Sequence, residues 1–238
     1  MQVDILAFGA HPDDVEISAS GTIIKHIEMG KTVAIVDLTQ GELGSRGTIE
    51  TRYAEAAAAI KILGVHAREN LKMADGFFTI SEENKLKIVE QIRRFQPKIV
   101  LANAISDRHP DHGRASQLVR EACFLAGLKQ IKTSWEGKEQ KQWRPKSVYF
   151  YIQDRYIKPD FIVDISEQVE KKIASIRAYK TQFFNPDSTA PLTPISGEDF
   201  FDFLRGRWKE FGRTIGTSYG EGFTVERTPG VNDITELV

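Results

Sequence analysis

The stretch "VDILAFGAHPDDVEIS" (residues 3–18) runs from a short apolar segment without alternation into a helical pattern. Strands covered on both faces read this way, and a strand passing directly into a helix is the first half of a βαβ unit. The pattern recurs. Strand-like runs occupy 32–39, 70–73, 98–103, 147–152 and 160–165. Helical patterns fill 14–29, 50–63, 82–96 and 111–126, stopped near Gly30, Gly64, Pro97 and Gly127. This alternation predicts an α/β fold, a Rossmann-like and mostly parallel sheet with helices on both faces. Beyond residue 165 the spacing predicts a C-terminal helical extension: a helix in 167–183, another through about residue 212, and between them the proline-bearing "FNPDSTAPLTPISG" (184–197), a lid or a disordered loop. We expect one domain, with residues 1–165 as core and 166–238 as helices and loop of the same unit.

Composition narrows the function. The 32 basic residues nearly balance the 33 acidic ones in 238, so no electrostatic footprint for nucleic acid or an anionic membrane is expected. The one cysteine, Cys123, sits at helical spacing and reads as a small buried apolar residue. The early Asp4 and the lack of a long apolar run suggest a soluble, cytoplasmic protein.

Phosphate-binding folds place glycines after the first strand, because phosphate needs bare backbone N–H groups. Here "HPDD" (11–14) stands there, echoed by "HPDH" at 109–112. In a sheet of order 3-2-1-4-5 the first and fourth strands are neighbours, so both motifs should face one crevice at the switch point. Helix capping accounts for the aspartates but leaves His11, His109 and His112 idle. A metal site accounts for both, and imidazole with carboxylate suits zinc, with iron or manganese as alternatives.

Through "AHPDD" (10–14) and "RHPDH" (108–112) the chain resembles the LmbE-like, or PIG-L, family of zinc-dependent N-acetyl-sugar deacetylases. The strings "LTQGELGSRGTIETR" (38–52), "KPDFIVDIS" (158–166), "AYKTQF" (178–183) and "GTSYGEGF" (216–223) resemble its bacillithiol biosynthesis branch. The resemblance implies one Zn²⁺ per chain on His11, Asp14 and His112, or another divalent ion such as Fe²⁺. It implies Asp13 as general base, a protonated His109 at the oxyanion or leaving amine, and Asp111 as the partner of His109. It also implies Arg52 and Arg108 as holders of the malate carboxylates of N-acetylglucosaminyl malate. Ion pairs of Arg52 with Glu55 and of Arg108 with Asp107 are the alternative. Glu42 and Arg46 in the glycine-bearing "GELGSRGT" (41–48) are further substrate-contact candidates. The aromatics of "FFDFLRGRWKEFG" (200–212) read as core or subunit interface, and the branch suggests a homo-oligomer. Other N-acetylated sugars, such as inositol or lipid glycosides or diacetylchitobiose, are rival substrates. A non-catalytic ligand-binding module is the rival class, disfavoured by the missing G-x-G-x-x-G.

Overall fold

The computed structural model describes residues 1–237. Its elements run β1 (Ile5–Gly9), α1 (Asp14–Glu28), β2 (Val33–Thr39), α2 (Ile49–Leu63), β3 (Ala67–Met73), α3 (Glu82–Phe95), β4 (Ile99–Ala102) and α4 (Pro110–Ala126). A hairpin of β5 (Ser134–Trp135) and β6 (Lys138–Glu139) follows, then β7 (Ser147–Tyr151), β8 (Phe161–Asp164), α5 (Val169–Arg177), α6 (Phe200–Thr214) and β9 (Gly220–Val225).

The seven-stranded sheet has the order β3-β2-β1-β4-β7-β9-β8. Strands β3, β2, β1, β4 and β7 are parallel, with Ile5 paired to Val33 on one side and to Ile99 on the other. Chain order reverses between β1 and β4, so their carboxyl ends flank the switch-point crevice. Each strand feeds two cores. Leu6, Phe8, Ala34 and Val36 pack with Ile88 and Ile92 of α3 and Leu118 and Val119 of α4. The intervening Ile5, Ala7, Val33 and Ile35 pack with Ala19, Ile23 and Ile24 of α1. That division is why the strands show no alternation.

The C-terminal segment departs from the purely helical expectation. β9 inserts between β7 and β8, antiparallel to both. Its sequence, "GEGFTV", hides the strand behind two glycines. They are required: a Cβ on Gly220 would lie 2.5 Å from Ile162 Cγ2, and one on Gly222 would lie 3.0 Å from the Phe211 ring. The helix expected in 167–183 ends at Arg177, and turns carry the chain onward.

α5 and β9 grip α1 through a buried ion pair. Lys172 Nζ lies 2.6 Å from Glu221 Oε1, with both side chains out of solvent. Glu221 accepts from the N–H groups of Gly21 and Thr22, and Lys172 donates to the carbonyls of Glu16 and Ile17. The pair is thus spliced into the hydrogen-bond ladder of the helix that carries the first motif. Removing one member of such a pair strands the other charge, at about 3–5 kcal/mol. Lys172→Met is therefore expected to lower unfolding free energy by about 3–5 kcal/mol in urea titrations; a loss under about 1 kcal/mol, as for an ordinary surface change, would contradict the pairing.

Candidate active site

Residues just past the carboxyl ends of five parallel strands build the site. β1 supplies His11, Asp13 and Asp14; β2 leads to Gly41; β3 supplies Asp75; β4 supplies Asn103; β7 supplies Gln153. Asp13, the N-cap of α1, has φ 120°, a region non-glycine residues avoid at about 1–3 kcal/mol. Such strain turns the adjacent Asp13 and Asp14 side chains to different partners. His109 is the N-cap of α4, followed by Pro110 in the first turn.

Asp14 is the centre, only 3% exposed. Its Oδ2 accepts from His11 N at 2.9 Å and from Asn103 Nδ2 at 3.0 Å. Gln153 Nε2 donates to Oδ1 at 3.1 Å, and His112 Nε2 lies 3.1 Å from the same oxygen. His11 Nδ1 stands 3.5 Å from Oδ2. The far nitrogens of both rings are also held by carboxylates. His11 Nε2 is 3.0 Å from Asp75 Oδ1 and 3.4 Å from Asp111 Oδ2, and His112 Nδ1 makes a short hydrogen bond with Asp107. Metal-binding histidines are oriented in this manner. Donor atoms of His11, His109 and His112 lie within 4.8 Å of one another, as do those of His11, Asp75 and Asp111.

The electrostatics call for positive charge. Burial opposes charge on His112, yet Asp14 and Asp107 outweigh it and push the ring up to about 9. Burial likewise opposes charge on His11, but Asp111, Asp14 and Asp75 hold its pKa well above the usual value. Asp14, despite burial, is held well below the carboxylate range, chiefly by His112. Protons on the two imidazoles satisfy the field that a divalent cation would satisfy better, so the donor set fits a metal ion.

The second group of expected residues is placed in several ways. Burial raises Asp13 to about 7, against the opposing charge of Arg52. Arg52 Nη1 donates to Asp13 Oδ2 at 2.9 Å and to Pro12 O at 2.8 Å, so its guanidinium holds the carboxylate beside the cluster and is not paired with Glu55. Asp111 does not partner His109 through its carboxylate, as expected from sequence. Its oxygens face His11, Gly76 N and Arg114, while its backbone N–H donates to His109 Nδ1 at 3.3 Å. His109 therefore carries its proton on Nε2. Burial, with the charges of His11 and His112 alongside, lowers its pKa. Arg46 is not in the cavity wall: it donates to Thr181 O, Pro191 O and Ser188 Oγ and ties down the 184–197 loop. Glu42 also lies outside that wall, accepting from Asp75 N and Gln40 N. Arg108 stays on the rim, paired with Asp154 rather than Asp107.

Sequence reading missed Asp75, Asn103, Asp107 as a holder of His112, and Gln153. Position alone marks three of them, since Asp75, Asn103 and Gln153 each follow the carboxyl end of a parallel strand by one or two residues. Phe200, Phe203 and Leu204, given no chemistry above, line the same cavity of about 420 Å³.

A histidine–carboxylate cluster in the crevice of a mostly parallel α/β sheet defines the class of metal-assisted α/β enzymes. Residues 6–123 match the PIG-L family, described as GlcNAc-PI de-N-acetylase. The diacetylchitobiose deacetylase of Thermococcus kodakarensis is 30% identical over 237 residues, covering 95% of this chain and 84% of that one. The chain belongs to the PIG-L family of sugar N-deacetylases. Among solved structures, a conserved protein of Thermus thermophilus superposes with TM-score 0.85 at 33% identity, covering 97% of each chain. The N,N'-diacetylchitobiose deacetylase of Pyrococcus horikoshii gives TM-score 0.78 at 26% identity, covering 99% of this chain and 88% of that one. No described helix is long and apolar enough to cross a membrane.

The carboxylates behind the rings generate one expectation. Asp107→Ala is expected to weaken divalent-metal binding about 10–100-fold by calorimetric titration. Unchanged affinity would detach Asp107 from the site.

Proposed function

We propose that the protein hydrolyses the acetamide of an N-acetylglucosaminyl conjugate, with a zinc ion held by His11, Asp14 and His112. The observation that carries this reading is the paired orientation of the two imidazoles. Each offers one nitrogen toward Asp14 and has the other held by a carboxylate. Asp75 and Asp111 are assigned to the outer layer, because their second oxygens accept from Leu43 N and pair with Arg114. Fe²⁺ suits the same nitrogen and oxygen donors.

When bound, zinc polarises a carbonyl and lowers the pKa of a coordinated water to about 7. Asp13 then takes the proton of the attacking water, a role for which a carboxylate near 7 is matched to neutral pH. Arg52 fixes the direction of that carboxylate. His109 presents Nε2–H to the oxygen on which charge develops, positioned by the Asp111 backbone N–H at its Nδ1. The amine departs once it receives the proton held by Asp13. The sequence strings favour malate as the aglycone, and Arg108 is the rim arginine that could meet it.

Acetate release from N-acetylglucosaminyl conjugates should vanish on chelation and return with zinc. Asp13→Asn should keep its metal and lose about 10²–10⁴ in kcat, whereas Asp14→Ala should lose the metal as well. Loss of metal in Asp13→Asn would reverse the two assignments, and an inactive zinc-loaded wild type would remove the reading.

A further inference from the structure

Three consecutive residues beyond β7 reach the ionisable cluster by three different routes. Just past the strand, Ile152 N–H still donates to Gly222 O at 3.2 Å, and residues 153–155 then turn toward the cluster. Gln153 sends its side chain to Asp14 Oδ1, and Asp154 pairs with Arg108 at the cavity rim. The N–H of Arg155 donates to Asp107 Oδ1 at 2.7 Å, and the other oxygen of Asp107 holds His112. Two of the three proposed metal ligands, Asp14 and His112, therefore take part of their orientation from one turn.

A single side chain of α6 clamps that turn. Arg207 Nη1 donates to Gln153 O and Nη2 to Asp154 O, both at 3.3 Å. Its side chain is 12% exposed. The ring centroids of Tyr156, Phe203 and Phe211 lie 5.4, 5.3 and 5.9 Å from its Cζ, so the cation is boxed by faces that attract it. A guanidinium serves two acceptors at once through its planar fork, as a lysine ammonium does not. Arg207 stands outside the wall of the catalytic cavity and borders a separate narrow cleft, shared with Gln153 and Trp208. Its route to the cluster is the turn.

We propose that Arg207 is a positioning residue: from α6 it fixes the 153–155 turn and so sets the geometry in which Asp14 and His112 meet a divalent cation. This rests on the metal assignment above. Metal affinity then depends on a side chain that touches neither a metal ligand nor the cavity. Removing a group directly behind a ligand typically costs about 10–100-fold in affinity, and Arg207 stands one contact further out, so a loss of about fivefold is the expected scale.

The test is calorimetric titration of the metal-stripped protein with zinc, on variants whose folding is checked by circular dichroism. Arg207→Met is expected to bind zinc at least about fivefold more weakly than wild type, and Arg207→Lys, which keeps the charge without the fork, about two- to fivefold more weakly. Arg205→Gln removes a surface pair with Glu170 on the same helix and should stay within about twofold of wild type. The double variant Gln153→Ala/Arg207→Met should lose less than the product of the two single losses, because residues acting through one network do not add. Affinity within about twofold of wild type in Arg207→Met, or in Arg207→Lys should the first variant not fold, overturns the inference and leaves the metal assignment standing. Multiplicative losses in the double variant, or an equal loss in Arg205→Gln, also overturn it, since they mark a general loosening of α6. A wild type that takes up no zinc would overturn the metal assignment as well.

Discussion

Burying the charge of Asp14 is the constraint on which the site depends. A carboxylate taken out of water must recover its solvation from fixed donors. Asp14 does so from the end of β1 through the His11 amide, the end of β4 through Asn103, the end of β7 through Gln153, and α4 through His112. Four separately coded elements have to arrive in register before that carboxylate is satisfied. Solvating the anion and assembling the site are therefore the same event. Gln153 is itself fixed, its Oε1 accepting from Asn103 Nδ2 and Ala104 N.

Beyond this hub, the side chains divide by where they face. Asp75, Asp107 and Asp111 sit behind the imidazoles and keep them basic and oriented, while Asp13 and His109 face the cavity with their own positions set by Arg52 and by a backbone amide. The same economy appears in the loops. Arg46 and Glu42 carry charges that look suited to substrate, yet they fasten the 184–197 loop and the turn at Asp75. Leu43 and Ile195 line the cavity from these loops, so the fastening sets part of its wall.

Much of this was legible in the sequence, and the exceptions have physical reasons. The parallel core was readable because strands covered on both faces leave unbroken apolar runs, and the crevice because two histidine motifs stand after two strands that topology makes neighbours. Asp75, Asn103 and Gln153 carry no motif. Only the sheet, which aligns strand ends far apart in sequence, makes them a group. β9 was hidden because Gly220 and Gly222 serve close packing against Ile162 and Phe211, and glycine weakens a strand signal. The partners of Arg46, Arg52 and Asp111 were illegible for another reason: a side chain's type is written locally, but the direction of its hydrogen bonds is set by whichever backbone lies within reach.

The ion pair that Lys172 and Glu221 place inside α1 also imposes an order in time. In chain order α1 precedes β9, so Gly21 and Thr22 await a carboxylate about two hundred residues downstream. Until that last strand emerges, the helix that starts at the first histidine motif lacks its internal brace. A fragment lacking β9 would therefore carry both histidine motifs, with the first of them leading into an unbraced helix.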